Sequence, residues 1–179
     1  MKKLKFKHAY EILKKTISRG IKHSDIFYLF GECCRVLNLY EDGEKYLLDA
    51  LRFEQHSPYV YYSAGLLYQE IQDYKKSVSL FKHFLTIMEN ADTHYQISKS
   101  YVGLQNYLEA LSHISSAIGI NPNCIEYYNF RSELYEVMGF HEMSKDDLVL
   151  VKKLEVFYKW CDCLFLVLIV YIYIAYYIL

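Results

Sequence analysis

The chain has 179 residues, enough for one domain with a sizeable core, and its 2 Pro and 7 Gly suit long helices joined by short turns. Its formal net charge of −1 is unevenly spread: residues 1–23 carry +7, residues 24–151 carry −9 and residues 152–179 carry +1. The acidic middle argues against a nucleic-acid groove, because a phosphate backbone needs net positive contact, and the 5 cysteines lack the spacing of a disulfide or zinc framework and suit a reduced, cytosolic setting.

The N-terminal sequence MKKLKFKHAYEILKK is basic but has no apolar core after it, so no cleavable signal peptide is expected. Phe6 to Arg19 read as an amphipathic helix with Ala9, Leu13, Thr16 and Ile17 on one face. The spacing of Ala9 and Leu13, a small residue and a large apolar one four later, returns at Gly43/Leu47, Ser77/Phe81, Ala110/Ile114 and Ser144/Leu148, each step being 33 or 34 residues. A second series lies upstream of the last four pairs: Phe27/Phe30/Gly31/Cys34, Tyr61/Ala64/Gly65/Tyr68, His94/Ile97/Ser98/Tyr101 and Tyr128/Arg131/Ser132/Tyr135. The small residue lets two helices approach closely, and the aromatics fill the space between successive units. Tyr40, Tyr74, Tyr107 and His141 open the second helix of each pair, and Pro122 follows the third pair, where a helix must stop.

This pattern resembles the tetratricopeptide repeat, W-x2-L-G-x2-Y followed by A-x3-F and P, over residues 6 to about 155. The resemblance implies an all-α solenoid of antiparallel helix pairs, about four and a half repeats, and the sequence adds a C-terminal hydrophobic helix. The units are a basic N-terminal half repeat at 1–23, full repeats at 24–57, 58–90, 91–124 and 125–155, and a hydrophobic segment at 156–179. No Trp fills the first aromatic slot, Arg131 stands where a large apolar residue is usual, and Pro58 is displaced from the proline slot.

From Cys163 to Leu179 the sequence CLFLVLIVYIYIAYYIL runs seventeen residues without a charge. As a helix it would be about 25 Å long, and with residues 160–162 about 30 Å, the thickness of a hydrocarbon core. Lys152, Lys153 and Lys159 precede it, which suits a single-pass anchor through residues 160–179 with the repeats left in the cytoplasm. The alternatives are a helix that caps the last repeat of a cytoplasmic protein and a buried or aggregating β-segment.

No constellation for catalysis, cofactor or metal stands out, so the chain is expected not to be an enzyme. His94 falls on an inward slot, as a packed aromatic substitute, whereas His83 and His113 are expected to face outward. Asp146 and Asp147, among Lys145, Lys152 and Lys153, read as a solvated charged face, and Cys33 and Cys34 as small core hydrophobes.

In the resembling family the first helices line a concave face that holds a partner segment. One residue after the inter-unit aromatic come Tyr28, Tyr62, Tyr95 and Asn129; beside them run Leu29, Ser63, Gln96 and Phe130; one turn on come Glu32, Leu66, Lys99 and Glu133; and at the helix starts lie Asp25, Tyr59, Asp92 and Glu126. The candidate groove is therefore Tyr28, Glu32, Tyr59, Tyr62, Leu66, Tyr95, Gln96, Lys99, Asn129 and Phe130, with the three Tyr of the column at a solvent-facing slot. The acids at the helix starts also answer the helix dipole, so Asp25, Asp92 and Glu126 carry two readings. Such a groove suits a peptide or helix with apolar and basic anchors.

Relatives that capture the acidic tails of heat-shock chaperones use a clamp of Lys, Asn and Arg on adjacent first helices. The matching positions here, Tyr28, Glu32, Ser63, Asp92 and Gln96, or one unit on Tyr62, Leu66, Gln96, Glu126 and Phe130, hold no cation, so such tails are not expected to bind. The chain thus reads as a non-catalytic, membrane-anchored adaptor. The alternative is a soluble secretion-type chaperone that holds an unfolded client.

Overall fold

The structure is a computed structural model. It describes the backbone of residues 2–53 and 57–177 and the side chains of residues 3–53, 57–160 and 164. Among the described residues there are nine α-helices and no strand: α1 (Lys2–Ser18), α2 (Ser24–Val36), α3 (Tyr40–Leu51), α4 (Tyr59–Glu70), α5 (Tyr74–Ile87), α6 (Ala91–Gly103), α7 (Tyr107–Ile120), α8 (Ile125–Val137) and α9 (His141–Tyr177). The chain is all-α, built as a tetratricopeptide-like series of helix pairs. It divides into two compact units, residues 1–113 and 114–179.

Each tight turn inside a pair has one residue in the left-handed region: Asn38 (φ 64°), Gln72 (φ 66°), Gln105 (φ 57°) and Gly139 (φ 81°). The turn folds the next amide back onto the finished helix, so Leu39 N donates to Cys34 O at 2.8 Å, Asn106 N to Tyr101 O at 2.9 Å and Phe140 N to Tyr135 O at 2.8 Å. These bonds satisfy carbonyls that the helix end leaves open. Side-chain caps open α2, α5, α6 and α7: His23 Nδ1 accepts from Asp25 N at 3.2 Å, Asp73 from Lys76 N at 3.2 Å, Asn90 from Thr93 N at 2.9 Å and Asn106 from Glu109 N at 3.4 Å.

In the first unit the small residue of each first helix sets the spacing of its pair. A Cβ at Gly65 of α4 would come within 2.6 Å of the Phe81 ring of α5, and one at Gly31 of α2 within 2.7 Å of Leu47 of α3. In the third pair Ser98 takes the slot, and its hydroxyl donates to Ala110 O at 2.6 Å. Between pairs, Leu67 of α4 packs onto Gly43 of α3, where a Cβ would lie 2.8 Å from its Cδ1. Around these contacts Phe27, Leu47, Ala50, Val60, Ala64, Leu67 and Tyr68 form one buried cluster. Phe27 and Phe30 both meet the Tyr46 ring edge-on, and Tyr10 of α1 stacks on Phe30 at 4.9 Å.

In the second unit α8 and α9 pair through an ion bridge. Arg131 reaches Asp147 with Nε to Oδ2 at 2.8 Å and Nη2 to Oδ1 at 2.6 Å, and its guanidinium lies over the rings of Tyr128 and Tyr135. This explains why Arg131 can stand where the repeat usually has a large apolar residue: its charge is met inside the pair. It also corrects the expectation of a solvated Asp146–Asp147 face. Asp146 is exposed, but Asp147 is only 3% exposed, because it points toward α8. Leu148, the large member of the last small–large pair, is 42% exposed, unlike Leu47, Phe81 and Ile114, which are buried.

The backbone of α9 continues without interruption from the last repeat to Tyr177. The uncharged stretch Cys163–Leu179, on which the expected anchor rests, has all its side chains but that of Leu164 outside the described ones. Among the described residues no helix is long and apolar enough to cross a membrane.

Two stability changes follow. Gly65→Ala should lower stability by about 1–3 kcal/mol through overpacking against Phe81, whereas Gly119→Ala, where a Cβ meets nothing within 4 Å, should not; denaturant midpoints compare the two. Asp147→Ala should cost about 3–5 kcal/mol by stranding a largely buried guanidinium, and Arg131→Leu with Asp147→Leu should recover most of that loss, read by the same unfolding curves.

Candidate binding surface on the first helices

In the first unit, the neighbouring first helices α2, α4 and α6 are joined by polar side-chain rungs. Arg35 of α2 holds Glu32 of its own helix, with Nη2 to Oε1 at 2.5 Å and Nε to Oε2 at 3.0 Å, and also bonds Glu70 of α4. Burial opposes the charge on this guanidinium, yet the two carboxylates outweigh it and raise its pKa. Burial raises the pKa of Glu70, which Arg35 partly offsets. The Tyr28 hydroxyl is pushed up by burial, offset by a hydrogen bond with Ser63 of α4. Between α4 and α6, the Tyr62 hydroxyl donates to the Asp92 carboxylate. Gln69 Nε2 donates to Gln96 O and to Ser100 Oγ, both at 2.9 Å, and Ser100 shares a 2.9 Å bond with Ser77 of α5.

The expected groove residues divide by this geometry. Tyr59 is 47% exposed, with its ring leaning on Phe84 at 5.6 Å. Lys99 is exposed and lies over the Tyr95 ring at 5.3 Å. Glu32 is half-buried on Arg35, and Leu66 is half-buried against the Val78, Phe81 and Ile97 cluster. Gln96 is half-buried, its carbonyl engaged by Gln69 and its side-chain Oε1 enclosed without a hydrogen-bond partner among the described residues. Asn129 and Phe130 are half-buried on α8 of the second unit.

The three-Tyr column is not at a solvent-facing slot. Tyr95 is buried at 8% exposure, Tyr62 packs between Phe81 and Phe84 at 5.5 and 5.6 Å, and Tyr28 is half-buried. The reason is angular. One residue after an inward aromatic is a rotation of about 100°, not a half-turn, so a ring as long as that of Tyr still reaches the adjacent helices. Glu32 and Asp92, expected as acidic edge charges, are engaged by Arg35 and Tyr62. Sequence reasoning missed Arg35 as the hub of this surface, although its i,i+3 spacing from Glu32 and its offset of about one repeat from Glu70 were both visible.

Among the histidines, His83 is exposed and His94 packed as expected, but His113 departs from expectation. His113 of α7 is half-buried rather than outward, with its Nδ1 3.0 Å from Nδ1 of His94 and its ring stacked on Tyr101. Its pKa is lowered to about 4 by burial, then by His94 and Lys82. His94 Nε2 meets Glu89 at 2.9 Å, and Lys82 Nζ donates to the Tyr101 hydroxyl at 2.8 Å. One ring must donate and the other accept across the Nδ1 pair, so protonating both turns the contact repulsive. Cys33 and Cys34 are buried, and burial raises the Cys34 thiol to about 12, which suits packing and not reactivity. Among the described residues no group of three or more His, Cys, Asp or Glu could hold a metal ion.

The sequence profile described as "Tetratricopeptide repeat" matches residues 58–90 and 91–124, and that described as "Anaphase-promoting complex, cyclosome, subunit 3" matches residues 1–50. Among solved structures, MamA 41-end from Desulfovibrio magneticus RS-1 superposes with a TM-score of 0.78 at 16% identity, covering 84% of this chain and 85% of that one. A second MamA crystal structure gives 0.77 at 18% identity, with 84% and 88% covered. At these identities the likeness concerns the fold. No curated protein matches the chain.

The histidine pair gives a pH dependence. Since the folded pKa of His113 lies below the ordinary 6.5, its contribution to stability is complete above about pH 6.5 and is lost as pH falls toward 4. Thermal midpoints between these values should drop more steeply for the native chain than for His113→Phe, which keeps the ring contact with Tyr101 and removes the titration.

Proposed function

We propose that this chain, which matches the tetratricopeptide repeat at residues 58–90 and 91–124, is a non-catalytic interaction scaffold that binds a peptide or helix across α2, α4 and α6. The observation that carries this reading is the set of rungs Arg35–Glu70, Tyr62–Asp92 and Gln69–Gln96. They fix three first helices side by side and pre-organise the side chains between them. Onto that row project an exposed aromatic, Tyr59, and an exposed cation, Lys99.

Tyr59 supplies the apolar contact, with its rigid ring already supported by Phe84. The Glu32–Arg35–Glu70 cluster holds more acid than base and attracts basic anchors on the partner. Arg35 is committed to two carboxylates and Lys99 stands alone beside Tyr95, which is no clamp for a dense acidic tail. We place the scaffold at a membrane through residues 160–179, on the strength of the uncharged stretch and the lysines before it.

The partner is found by capture on the intact chain from the native host, then titrated as a purified protein. Tyr59→Ala and Lys99→Glu should each weaken its binding about tenfold, a loss of about 1.4 kcal/mol, with no change in thermal midpoint. Unaltered binding by the double variant would refute this surface. For the anchor, release of the protein into the soluble fraction on alkaline washing of membranes would refute a span.

A further inference from the structure

An open apolar groove of about 670 Å³ runs between α1 and α2. Its walls are Phe6, Ala9, Ile12 and Leu13 of α1, with Leu29 and Cys33 of α2. Ile12 is 53% and Leu29 49% exposed, an arrangement that apolar side chains facing each other across a groove seldom keep without an occupant.

The other pairs show what covers the same positions. One repeat after another, Ile12 corresponds to Tyr46, Leu80, His113 and Asp147. Tyr46 is met by Phe27 and Phe30 of α2, His113 by His94 and Tyr101 of α6, and Asp147 by Arg131 of α8. In these three cases the cover is the first helix of the same pair. Leu13 corresponds to Leu47 and Phe81, which are covered by Gly31 of α2 and Gly65 of α4. The α1 face is therefore a second-helix face, and among the described residues no first helix lies on it.

We propose that this groove binds an amphipathic, acidic helix of another protein, seated as the first helix of a pair with α1. Its apolar face would carry a large residue onto Ile12 and a small one onto Leu13, in the spacing aromatic-x2-large-small-x2-aromatic. Its acidity follows from charge: Lys3, Lys5, Lys7, Lys14 and Lys15 of α1 are exposed, against Glu11 alone, and Lys5 borders the groove itself. Glu32 at the opposite wall is held by Arg35, which it shares with Glu70, and the five lysines outweigh the one net negative charge left on that cluster. The groove shares Glu32 with the proposed partner surface but lies apart from Tyr59 and Lys99, and it stands without that surface.

The probe is a labelled synthetic peptide copying residues 125–138, the chain's own most acidic first helix, with R131L so that an apolar residue faces Ile12. Titrated by fluorescence anisotropy into the full chain at low salt, it should bind saturably. Ile12→Asp and Leu29→Arg, both at exposed positions that leave the thermal midpoint in place, should each weaken binding at least about tenfold, and Tyr59→Ala should not. The peptide carrying S132W should fail, because the slot over Leu13 admits only a small residue. Raising salt to about 0.3 M should weaken binding severalfold as the lysines are screened. Absence of saturable binding would overturn the proposal, as would equal binding by Ile12→Asp and the native chain. A native dimer made monomeric by Ile12→Asp would also overturn it, assigning the groove to a second copy.

Discussion

The close approach of paired helices at one small residue is the constraint on which the architecture depends. At Gly31 and Gly65 the backbone of a first helix meets the side chain of Leu47 or Phe81 at a distance that no Cβ could share. A gap there would forfeit contacts on both helices, and a larger residue would push the pair apart. Because α4 packs both on its partner α5 and on the preceding pair, as Leu67 does on Gly43, a change in one spacing passes to the next repeat there. Ser98 fills the slot differently, using its hydroxyl to bond Ala110 O, so a small polar residue serves where its one polar atom finds a partner.

Once the helices are this close, their polar side chains have little water between them and must find each other. Arg131 and Asp147 do so inside a pair, Arg35 and Glu70 between pairs, and Tyr62 and Asp92 likewise. Such contacts add little net stability relative to apolar packing, but they fix the rotation of each helix about its axis. Fixed rotation is what a recognition surface requires, since it decides which side chains stay half-exposed. Tyr59 and Lys99 are left outward by the same arrangement that draws Tyr95 and Asp92 inward.

Membership in a helical-repeat architecture was legible because a repeat writes its packing rule several times at one period. Gly31, Gly65 and Ser98, and the starts of α3, α5, α7 and α9 at Tyr40, Tyr74, Tyr107 and His141, followed from that period alone. The turn residues Asn38, Gln72, Gln105 and Gly139 recur at it too, but three of the four are not glycine, so their left-handed backbone left no mark in composition. The candidate surface was less legible. Period places Tyr28, Tyr62 and Tyr95 in one column, yet a column can face solvent or a neighbouring helix, and a rotation of about 100° from an inward position leaves that open.

Local order along the chain was enough to specify helices, their pairing and the slot where they touch, because these depend on spacing within some thirty residues and on side-chain size. Which charges are buried depended on three dimensions. Asp147 and Asp146 are neighbours in one helix with the same chemistry, and only the position of Arg131 on the facing helix takes one inside and leaves the other in water. The same holds for His113, whose lowered pKa comes from burial beside His94 and Lys82, residues 19 and 31 positions away, set beside it by the geometry of the pair and by no pattern in the residues around it.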